Sequence, residues 1–542
     1  MLRSASLSLV LIFALGFGGC ATAPSTPQKS RAFPASQALR VAEKVSKSSP
    51  QTTGLYLQAA QIALALAENT TASPAERTEG VTIYNSAVTG CVLALQKQQA
   101  GPLSAATHPV VQAPETTYDL RVISKGEPAI ENPAAFDRFL ATSKVAPKRL
   151  QPENVRHGLG APLVGLMNSP RTKVPNRLPA GFAEPVTAIV SFGPKNSRGT
   201  TPASLSFLNP SQRDTVKVDG LTYPLAANFT APLLVFPAPN EMIFGIVAML
   251  RSDRSVAKSG IYFLEPYDPN KIPVLFVHGL MSSPHAWVAF INELNRDPEF
   301  RRRYQPWVYF YPTGSPIAAN AMRLRKDLAQ VEKDYPLRHK IVVVGHSMGG
   351  ILTQMQITDS KRILWDEVFG ARAKELDAKF DEKSVLKRAL IFHADSHIGR
   401  VIFIATPHLG SNLANLHVAS LAARFIRLPL DLVRGIDRKT RAAIMGVNPA
   451  VRTIPTSIQG LSPKSQLLQG IAKLPITVPY HSIIGNQGKD NLPLDQSSDG
   501  VVPYWSSHMA GAQSEIIVPT GHDAFGCPKS VKEVLRILKL KN

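Results

Sequence analysis

The stretch Ile-Val-Val-Val-Gly-His-Ser-Met-Gly-Gly, residues 341–350, decides the fold of this chain. Its first four residues are apolar and mostly β-branched, which predicts a strand buried on both faces. The next five match the pattern Gly-x-Ser-x-Gly, in which a serine stands on a sharp turn between a strand and a helix. Residues 350–357 are compatible with that helix. The segment therefore presents Ser347 as a candidate nucleophile.

The same alternation of apolar strands and amphipathic helices continues on both sides of this segment. Further strands are predicted at residues 274–277, 307–310, 401–405, 481–484 and 515–518. Such a pattern predicts an α/β fold with a mostly parallel sheet and helices on both of its faces. Ser530 and Glu533 match a capping box, which predicts that the last helix begins near residue 530.

A serine nucleophile needs an imidazole to accept its proton and a carboxylate to orient that imidazole. Asp499 follows a predicted strand within Ser-Asp-Gly-Val-Val, and His522 follows the last strand within Gly-His-Asp. Asp490 and Asp495 are the alternatives for the carboxylate, since an Asp-Gly pair can also simply form a turn. His508 is the alternative for the imidazole, but it precedes the last strand. We therefore predict a catalytic triad of Ser347, Asp499 and His522.

Hydrolysis through a serine also needs two backbone N–H groups that stabilise the oxyanion. The N–H of Met348, directly after the nucleophile, is one candidate. The loop His-Gly-Leu-Met, residues 278–281, follows an early strand, and the N–H of Leu280 is the second candidate. We interpret His278 as a residue that stabilises this loop through hydrogen bonds.

The N-terminus has the features of an export signal. Arg3 precedes an apolar run from Leu7 to Phe17, which is too short to span a bilayer. Gly-Gly-Cys follows it and resembles the lipobox of bacterial lipoproteins, so residues 1–20 are predicted to be a lipoprotein-type signal with Cys20 lipidated. The chain would then be tethered to a membrane in the cell envelope as an outer-membrane lipoprotein. Phe17 departs from the usual leucine, and a conventional signal peptide with a periplasmic or secreted product is the alternative.

Changes in composition and in apolar pattern divide the remaining chain into four predicted regions. Residues 21–34 are rich in Pro, Ser and Thr and are predicted to be a tether. Residues 35–105 are predicted to be a helical segment, and residues 106–262 a strand-rich accessory domain. Residues 263–542 would form the catalytic domain, with a helical cap at about 411–475.

Net charge and cysteine content limit which partners, metal sites and disulfides the sequence predicts. The formal net charge of +21 favours anionic envelope lipids, although a solvated basic surface explains it equally simply. No dense Lys/Arg tract interleaved with aromatic residues predicts nucleic-acid binding, and no cofactor or metal site is predicted, since Cys/His spacing is not that of metal ligands. Cys91 and Cys527 could form a disulfide after export, or Cys91 could be a buried free thiol.

Several of these motifs together resemble the lipase and esterase branch of the α/β-hydrolase superfamily. They are residues 277–280, 345–350, 405–411, 498–502 and 521–522, and the resemblance covers about residues 265–542. It implies hydrolysis of carboxylic esters, above all lipid acyl esters, through an acyl-enzyme at Ser347. It also implies that the Thr-Pro-His element at 406–408 shapes the floor of the site. Thioester or amide cleavage would use the same groups, and a structural or interaction lipoprotein with a non-catalytic hydrolase fold is the alternative of a different class.

Overall fold

The computed structural model of the protein describes residues 30–99, 101–124, 129–145, 150, 152–167, 181–235, 259–411, 457–488 and 493–540. These ranges are the described chain. The predictions for the signal peptide, Cys20, Asp490 and most of the cap fall outside them. Within these ranges, no helix combines the length and the apolar character needed to cross a bilayer.

The helices are labelled in chain order. They are α1 Phe33–Lys44, α2 Pro50–Glu68, α3 Pro74–Gln98, α4 Ala231–Leu234, α5 Trp287–Leu294, α6 Pro298–Arg303, α7 Ile317–Asp334, α8 Met348–Gln354, α9 Ile363–Phe369, α10 Ala373–Lys379, α11 Val385–Leu390, α12 Ser457–Gly460, α13 Gln466–Ala472, α14 Tyr504–Ser507 and α15 Pro528–Leu538.

The strands fall into an N-terminal and a C-terminal group. The N-terminal group is β1 Val110–Gln112, β2 Thr117–Ile123, β3 Arg138–Ala141, β4 Val155–Arg156, β5 Ala161–Met167, β6 Phe182–Phe192, β7 Thr200–Leu208, β8 Thr215–Val218, β9 Leu221–Pro224 and β10 Ala227–Asn228. The C-terminal group is β11 Gly260–Phe263, β12 Ile272–Val277, β13 Tyr304–Phe310, β14 Ile341–His346, β15 Ile398–Ile404, β16 Tyr480–Gly485 and β17 Ser514–Val518.

The C-terminal strands form one seven-stranded sheet in the order β11-β13-β12-β14-β15-β16-β17. The pairings from β12 to β17 are parallel, and only the edge strand β11 is antiparallel to its neighbour. In the centre, Gly345 is paired with Val277 on one side and with Phe403 on the other. The predicted α/β fold with a mostly parallel sheet is therefore confirmed.

Side chains of alternate residues enter two cores, one on each face of this sheet. Val343 lies in the core that α7 and α8 cover, whereas Val342 and Val344 lie in the core that α5 and α15 cover. Because side chains alternate along a strand, a strand with helices on both faces must be apolar throughout. This explains why residues 341–344 carry no polar side chain.

The N-terminal helices and strands share one core, although the sequence pattern treats them as separate segments. Helices α2 and α3 pack against a six-stranded sheet in the order β1-β2-β7-β6-β5-β3. Tyr84 of α3 joins them, since its buried hydroxyl donates to the carbonyl oxygen of Val190 at 2.6 Å and accepts the Val190 N–H at 2.8 Å. Cys91 lies in this core as a free thiol, whose pKa burial raises to about 12, and Cys527 is also free.

Two sequence-based details differ from the structure. Strand β11 spans residues 260–263 and pairs with β13, so it crosses the expected domain boundary at residue 262 and belongs to the C-terminal sheet. The predicted capping box at Ser530 was wrong, because the last helix begins at Pro528. The Ser530 hydroxyl instead donates to the carbonyl oxygen of Ala524 at 2.6 Å. Proline is favoured in the first turn of a helix because it lacks the N–H that would remain unpaired there.

Candidate active site

Ser347 stands on a strained turn at the carboxyl end of β14. Its backbone has φ +54° and ψ −127°, a conformation that non-glycine residues rarely adopt. Its N–H donates to the carbonyl oxygen of Ile404 at 2.9 Å, which ties the turn to β15. Helix α8 begins at the next residue. The strain is characteristic of a serine that must project from the end of a sheet.

The glycines around Ser347 allow a close approach of backbone to backbone. A Cβ atom at Gly349 would lie 2.3 Å from the carbonyl oxygen of Val277 and 2.5 Å from that of His278. A Cβ atom at Gly345 would lie 2.7 Å from Cα of Gly350. These distances are too short for any side chain. The turn that carries Ser347 is therefore pressed against the end of β12 and the loop that follows it.

His522 and Asp499 meet Ser347 at this edge of the sheet. The Oγ of Ser347 lies 2.9 Å from Nε2 of His522, and Nδ1 of His522 lies 2.7 Å from Oδ2 of Asp499. His522 follows β17, and Asp499 follows β16. The parallel sheet places all three at its carboxyl end, so the structure brings together the three residues that the sequence predicts as a triad.

Asp499 is held in a fixed orientation. Its side chain is only 1% exposed. Its second oxygen, Oδ1, accepts the backbone N–H groups of Val501 and Val502 at 2.8 and 2.6 Å. A buried carboxylate is stable only when its oxygens are paired in this way. The Asp-Gly turn thus supplies the donors that orient the carboxylate toward His522.

The alternative residues lie elsewhere. His508 pairs through Nδ1 with Glu515 at 2.8 Å, and Asp495 lies in an exposed turn at residues 494–496. Neither contacts Ser347 or His522 within the described chain.

The two predicted oxyanion donors lie on both sides of Ser347. Met348 opens α8, so its N–H has no acceptor within the helix. The N–H groups of Met348 and Leu280 donate to no acceptor among the described residues. The loop of Leu280 adjoins the nucleophile, since a Cβ at Gly279 would lie 2.9 Å from Cβ of Ser347. Both donors therefore remain candidates for binding a substrate oxygen.

His278 supports this loop and contacts none of the three triad residues. Its ring stacks on Tyr311 with centroids 4.4 Å apart, and its Nδ1 lies 3.0 Å from the carbonyl oxygen of Gly279. The Tyr311 hydroxyl donates to the carbonyl oxygen of His278 at 2.6 Å. Burial lowers the pKa of His278 to about 4, so the ring is neutral at neutral pH.

His346 is a site residue that the sequence reasoning missed. Its Nε2 lies 2.9 Å from the backbone carbonyl oxygen of His522, and its ring packs edge-on against Phe525. A Cβ atom at Gly279 would come within 3.1 Å of its Nδ1. His346 therefore contacts the oxyanion loop, the nucleophile turn and the backbone of His522. Only its position inside the Gly-x-Ser-x-Gly motif could have drawn attention to it.

The Thr-Pro-His element packs beneath the nucleophile helix. A Cβ atom at Gly350 would lie 1.9 Å from Oγ1 of Thr406. His408 is buried, and its Nδ1 lies 2.8 Å from Oε1 of Gln354 in α8. The element thus supports α8 from the side of β15.

Of the expected cap, only residues 411 and 457–475 lie within the described chain. Helix α13 buries Leu468 and Ile471 in the same core as α9. Ser411 donates through its hydroxyl to the carbonyl oxygen of Val501 at 2.6 Å, next to the Asp499 turn. This part of the segment is packed on the sheet domain.

Comparisons with known proteins agree with this architecture. Residues 274–534 match the family model described as "Alpha/beta hydrolase family". Residues 274–534 belong to an alpha/beta hydrolase domain. No curated protein sequence matches the chain.

Solved structures similar to part of this chain include three bacterial proteins. The mature lipase BlEst2 of Bacillus licheniformis is 17% identical, with 51% of this chain and 97% of that chain covered and a TM-score of 0.31. EstA of Clostridium botulinum is 16% identical, with 54% and 94% covered and a TM-score of 0.30. Lipase 1 of Pelosinus fermentans is 15% identical, with 50% and 100% covered and a TM-score of 0.32.

Proposed function

We propose that the protein is a serine hydrolase that cleaves carboxylic esters, with Ser347 as the nucleophile. The observation that carries the proposal is the unbroken chain of contacts from Ser347 Oγ to His522 Nε2, at 2.9 Å, and from His522 Nδ1 to Asp499 Oδ2, at 2.7 Å. Because a carboxylate only accepts hydrogen bonds, Asp499 favours the tautomer with hydrogen on Nδ1. The lone pair of Nε2 then faces the Ser347 hydroxyl.

The reaction follows from that arrangement. Ser347 Oγ bonds to the ester carbonyl carbon while His522 Nε2 takes the hydroxyl proton. The tetrahedral intermediate then breaks its bond to the alcohol oxygen, which receives the proton from Nε2 and leaves. Water, deprotonated by the same nitrogen, attacks the acyl-enzyme, and the acid departs as Ser347 regains its proton. Asp499 stabilises the transient imidazolium throughout.

The N–H groups of Met348 and Leu280 would stabilise the oxyanion of both tetrahedral intermediates. Neither donates to an acceptor in the described chain, so both are free to bind a substrate oxygen. Loss of one such donor typically costs about 3–4 kcal/mol of transition-state stabilisation.

Exposed apolar side chains support a lipid acyl ester as the substrate. Met281 and Leu409 are 45% and 41% exposed, and they closely follow the carboxyl ends of β12 and β15. This is the edge of the sheet that carries Ser347. Exposed apolar side chains at this edge are suited to contact the acyl chain of a lipid ester. We further propose that lipidated Cys20 tethers the enzyme to the envelope membrane, where the anionic lipids would attract its positive charge.

A fluorophosphonate probe tests the nucleophile, because it reacts only with an activated serine. We expect labelling of the full chain, loss of labelling in Ser347→Ala and in His522→Ala, and normal labelling in His508→Ala. Absence of labelling in the unmodified protein would favour a non-catalytic scaffold. Equal labelling of Ser347→Ala would refute the assignment of the nucleophile.

A substrate panel tests the bond and the acyl group. Short and long p-nitrophenyl esters, a triglyceride emulsion, a thioester and an anilide are offered to the full chain, with Ser347→Ala as the background. Preference for long acyl chains would support a lipid substrate. Turnover of the anilide or thioester without turnover of any ester would overturn ester hydrolysis as the activity.

A further inference from the structure

A second cluster of ionisable side chains lies at the opposite end of the sheet from Ser347. Glu332 belongs to the last turns of α7, which runs from the carboxyl end of the sheet toward the start of β14. Asp395 and His397 precede β15, and the carbonyl oxygen of His397 accepts the N–H of Ile341 at 2.7 Å. The cluster therefore lies where β14 and β15 begin, whereas the triad lies where they end.

The distances within the cluster are those between ligands of one metal ion. His397 Nδ1 lies 3.0 Å from Oε1 of Glu332 and 3.4 Å from Oδ1 of Asp395. One donor atom from each residue lies within 4.8 Å of the other two. Nitrogen and oxygen ligands bind Zn²⁺ at about 2.0–2.2 Å, so two ligands at octahedral or tetrahedral angles are about 2.9–3.5 Å apart.

Hydrogen bonding accounts for only part of this arrangement: Oδ1 of Asp395 accepts the backbone N–H of His397 at 2.8 Å. Oε1 of Glu332 is closed off from solvent and has no hydrogen-bond partner in the described chain, although Nδ1 of His397 lies only 3.0 Å away. Buried oxygens without a partner are costly, and each one needs an explanation. A cation between the two atoms would satisfy both lone pairs.

Charge in the cluster is also unbalanced. Two carboxylates face a single imidazole, and neither Glu332 nor Asp395 forms an ion pair with a lysine or arginine in the described chain. The cluster therefore holds more negative than positive charge.

We propose that Glu332, Asp395 and His397 bind a divalent transition-metal ion, with Zn²⁺ as the best fit. Imidazole nitrogen together with carboxylate oxygen suits Zn²⁺, whereas Ca²⁺ and Mg²⁺ favour oxygen ligands alone. His397 is 47% exposed, so water has access to complete the coordination. The ion joins the end of α7 to the entry of β15, and its role is structural because the triad lies at the other end of the sheet.

Isothermal titration of the untagged, EDTA-treated full chain with ZnCl₂ tests the site. We expect one saturable site in the unmodified protein, an increase of a few degrees in Tm on saturation, and no comparable response to CaCl₂. His397→Ala removes a ligand, so the Zn²⁺ affinity should fall by more than about 100-fold. Loss of a hydrogen bond to a ligand costs only about 10–100-fold. His393→Ala is the matched control, since His393 is also exposed and also contacts a single carboxylate, Asp359, at 3.3 Å.

Absence of saturable Zn²⁺ binding would overturn the site, and so would equal affinity in His397→Ala and the unmodified protein. Co²⁺ titration gives a second readout, because its visible absorption reports nitrogen and oxygen ligation directly. Its spectrum should be lost in Glu332→Gln and kept in His393→Ala. Fluorophosphonate labelling should be unchanged in His397→Ala, so failure of this site would be distinguishable from failure of the proposed hydrolase activity.

Discussion

The imidazole Nε2 of His346 lies 2.9 Å from the backbone carbonyl oxygen of His522. The residue before the candidate nucleophile, Ser347, is therefore hydrogen-bonded to the backbone of the candidate base. Only a protonated nitrogen can donate to a carbonyl oxygen, which fixes the hydrogen of His346 on Nε2. Burial, aided by the proximity of His522, lowers the pKa of His346 to about 3. The ring is therefore a neutral donor that positions His522 and does not itself carry a proton in the reaction.

Replacement of His346 by Leu removes this donor and leaves the His522 carbonyl oxygen without a partner. We expect kcat to fall by about 10–100-fold with little change in KM, because a small displacement of a catalytic group is costly. Steady-state kinetics on a p-nitrophenyl ester measures both constants. His346→Gln, which offers an amide N–H, should recover part of kcat. An unchanged kcat in His346→Leu would contradict the positioning role.

Asp499→Asn keeps the shape of the side chain but exchanges an acceptor for an amide. The amide can donate to His522 Nδ1, which favours the tautomer with hydrogen on Nε2 and blocks proton transfer from Ser347. We expect a loss of about 10⁴-fold in kcat, as in other triads. Asp495→Asn, in an exposed turn, should have a rate close to that of the unmodified enzyme. Equal rates in the two variants would exclude Asp499 from the triad.

Gly349→Ala tests the contact between the nucleophile turn and β12. The added methyl group would meet the carbonyl oxygens of Val277 and His278 at 2.3 and 2.5 Å, so the backbone must shift. Forced overpacking costs about 1–3 kcal/mol of folding stability, and the shift would also misplace the oxyanion loop. We expect lower Tm and lower kcat/KM, measured by thermal unfolding and ester kinetics. Gly526→Ala is the control, because no atom lies within 4 Å of a Cβ there.

Buried histidines make stability depend on pH. Burial lowers the pKa of His278 to about 4 and those of His346 and His408 to about 3, against about 6.5 in the unfolded chain. Below pH 6.5 the unfolded state binds more protons than the folded state, so stability falls as the pH falls from 6.5 toward 4. Each histidine contributes up to about 1.4 kcal/mol per pH unit in this window.

Urea unfolding of the full chain at pH 7.0, 6.0 and 5.0 measures this dependence. His408→Gln removes one of the histidines with a lowered pKa, so its stability should change less steeply with pH than that of the unmodified protein. A free energy of unfolding that rises on acidification from pH 7.0 to 5.0 would contradict the prediction. Gly526→Ala serves as the control, because it changes no ionisable group and no atom lies within 4 Å of a Cβ there.

The sequence was sufficient for the sheet and for the triad geometry because both depend on local patterns. Continuous apolar runs define buried strands, and the loops that follow β14, β16 and β17 must meet at one edge of a parallel sheet. Asp495 and Asp499 both follow β16, and the sequence distinguished Asp499 only by its Ser-Asp-Gly-Val-Val stretch. Its two backbone donors, Val501 and Val502, were implicit in the Asp-Gly turn.

Contacts between residues distant in the chain were beyond this reasoning. His346 donates a hydrogen bond to a carbonyl oxygen 176 residues away, and Glu332 meets His397 although β14 and four helices lie between them in the chain. The sequence predicted a helical segment at residues 35–105 but not what covers it, so the shared core with β6 was missed. The start of the last helix was misplaced because Pro528 offered a better first turn than the motif at Ser530.

The edge strand β11 has a practical consequence for shortening the protein. Residues 260–263 pair with residues 307–310 of β13, so a fragment that began at residue 263 would lack this pairing. The N–H and C=O groups of β13 that now bond to β11 would then be open to strands of other molecules, which is how sheets aggregate. A soluble fragment of the hydrolase half should therefore begin ahead of Gly260.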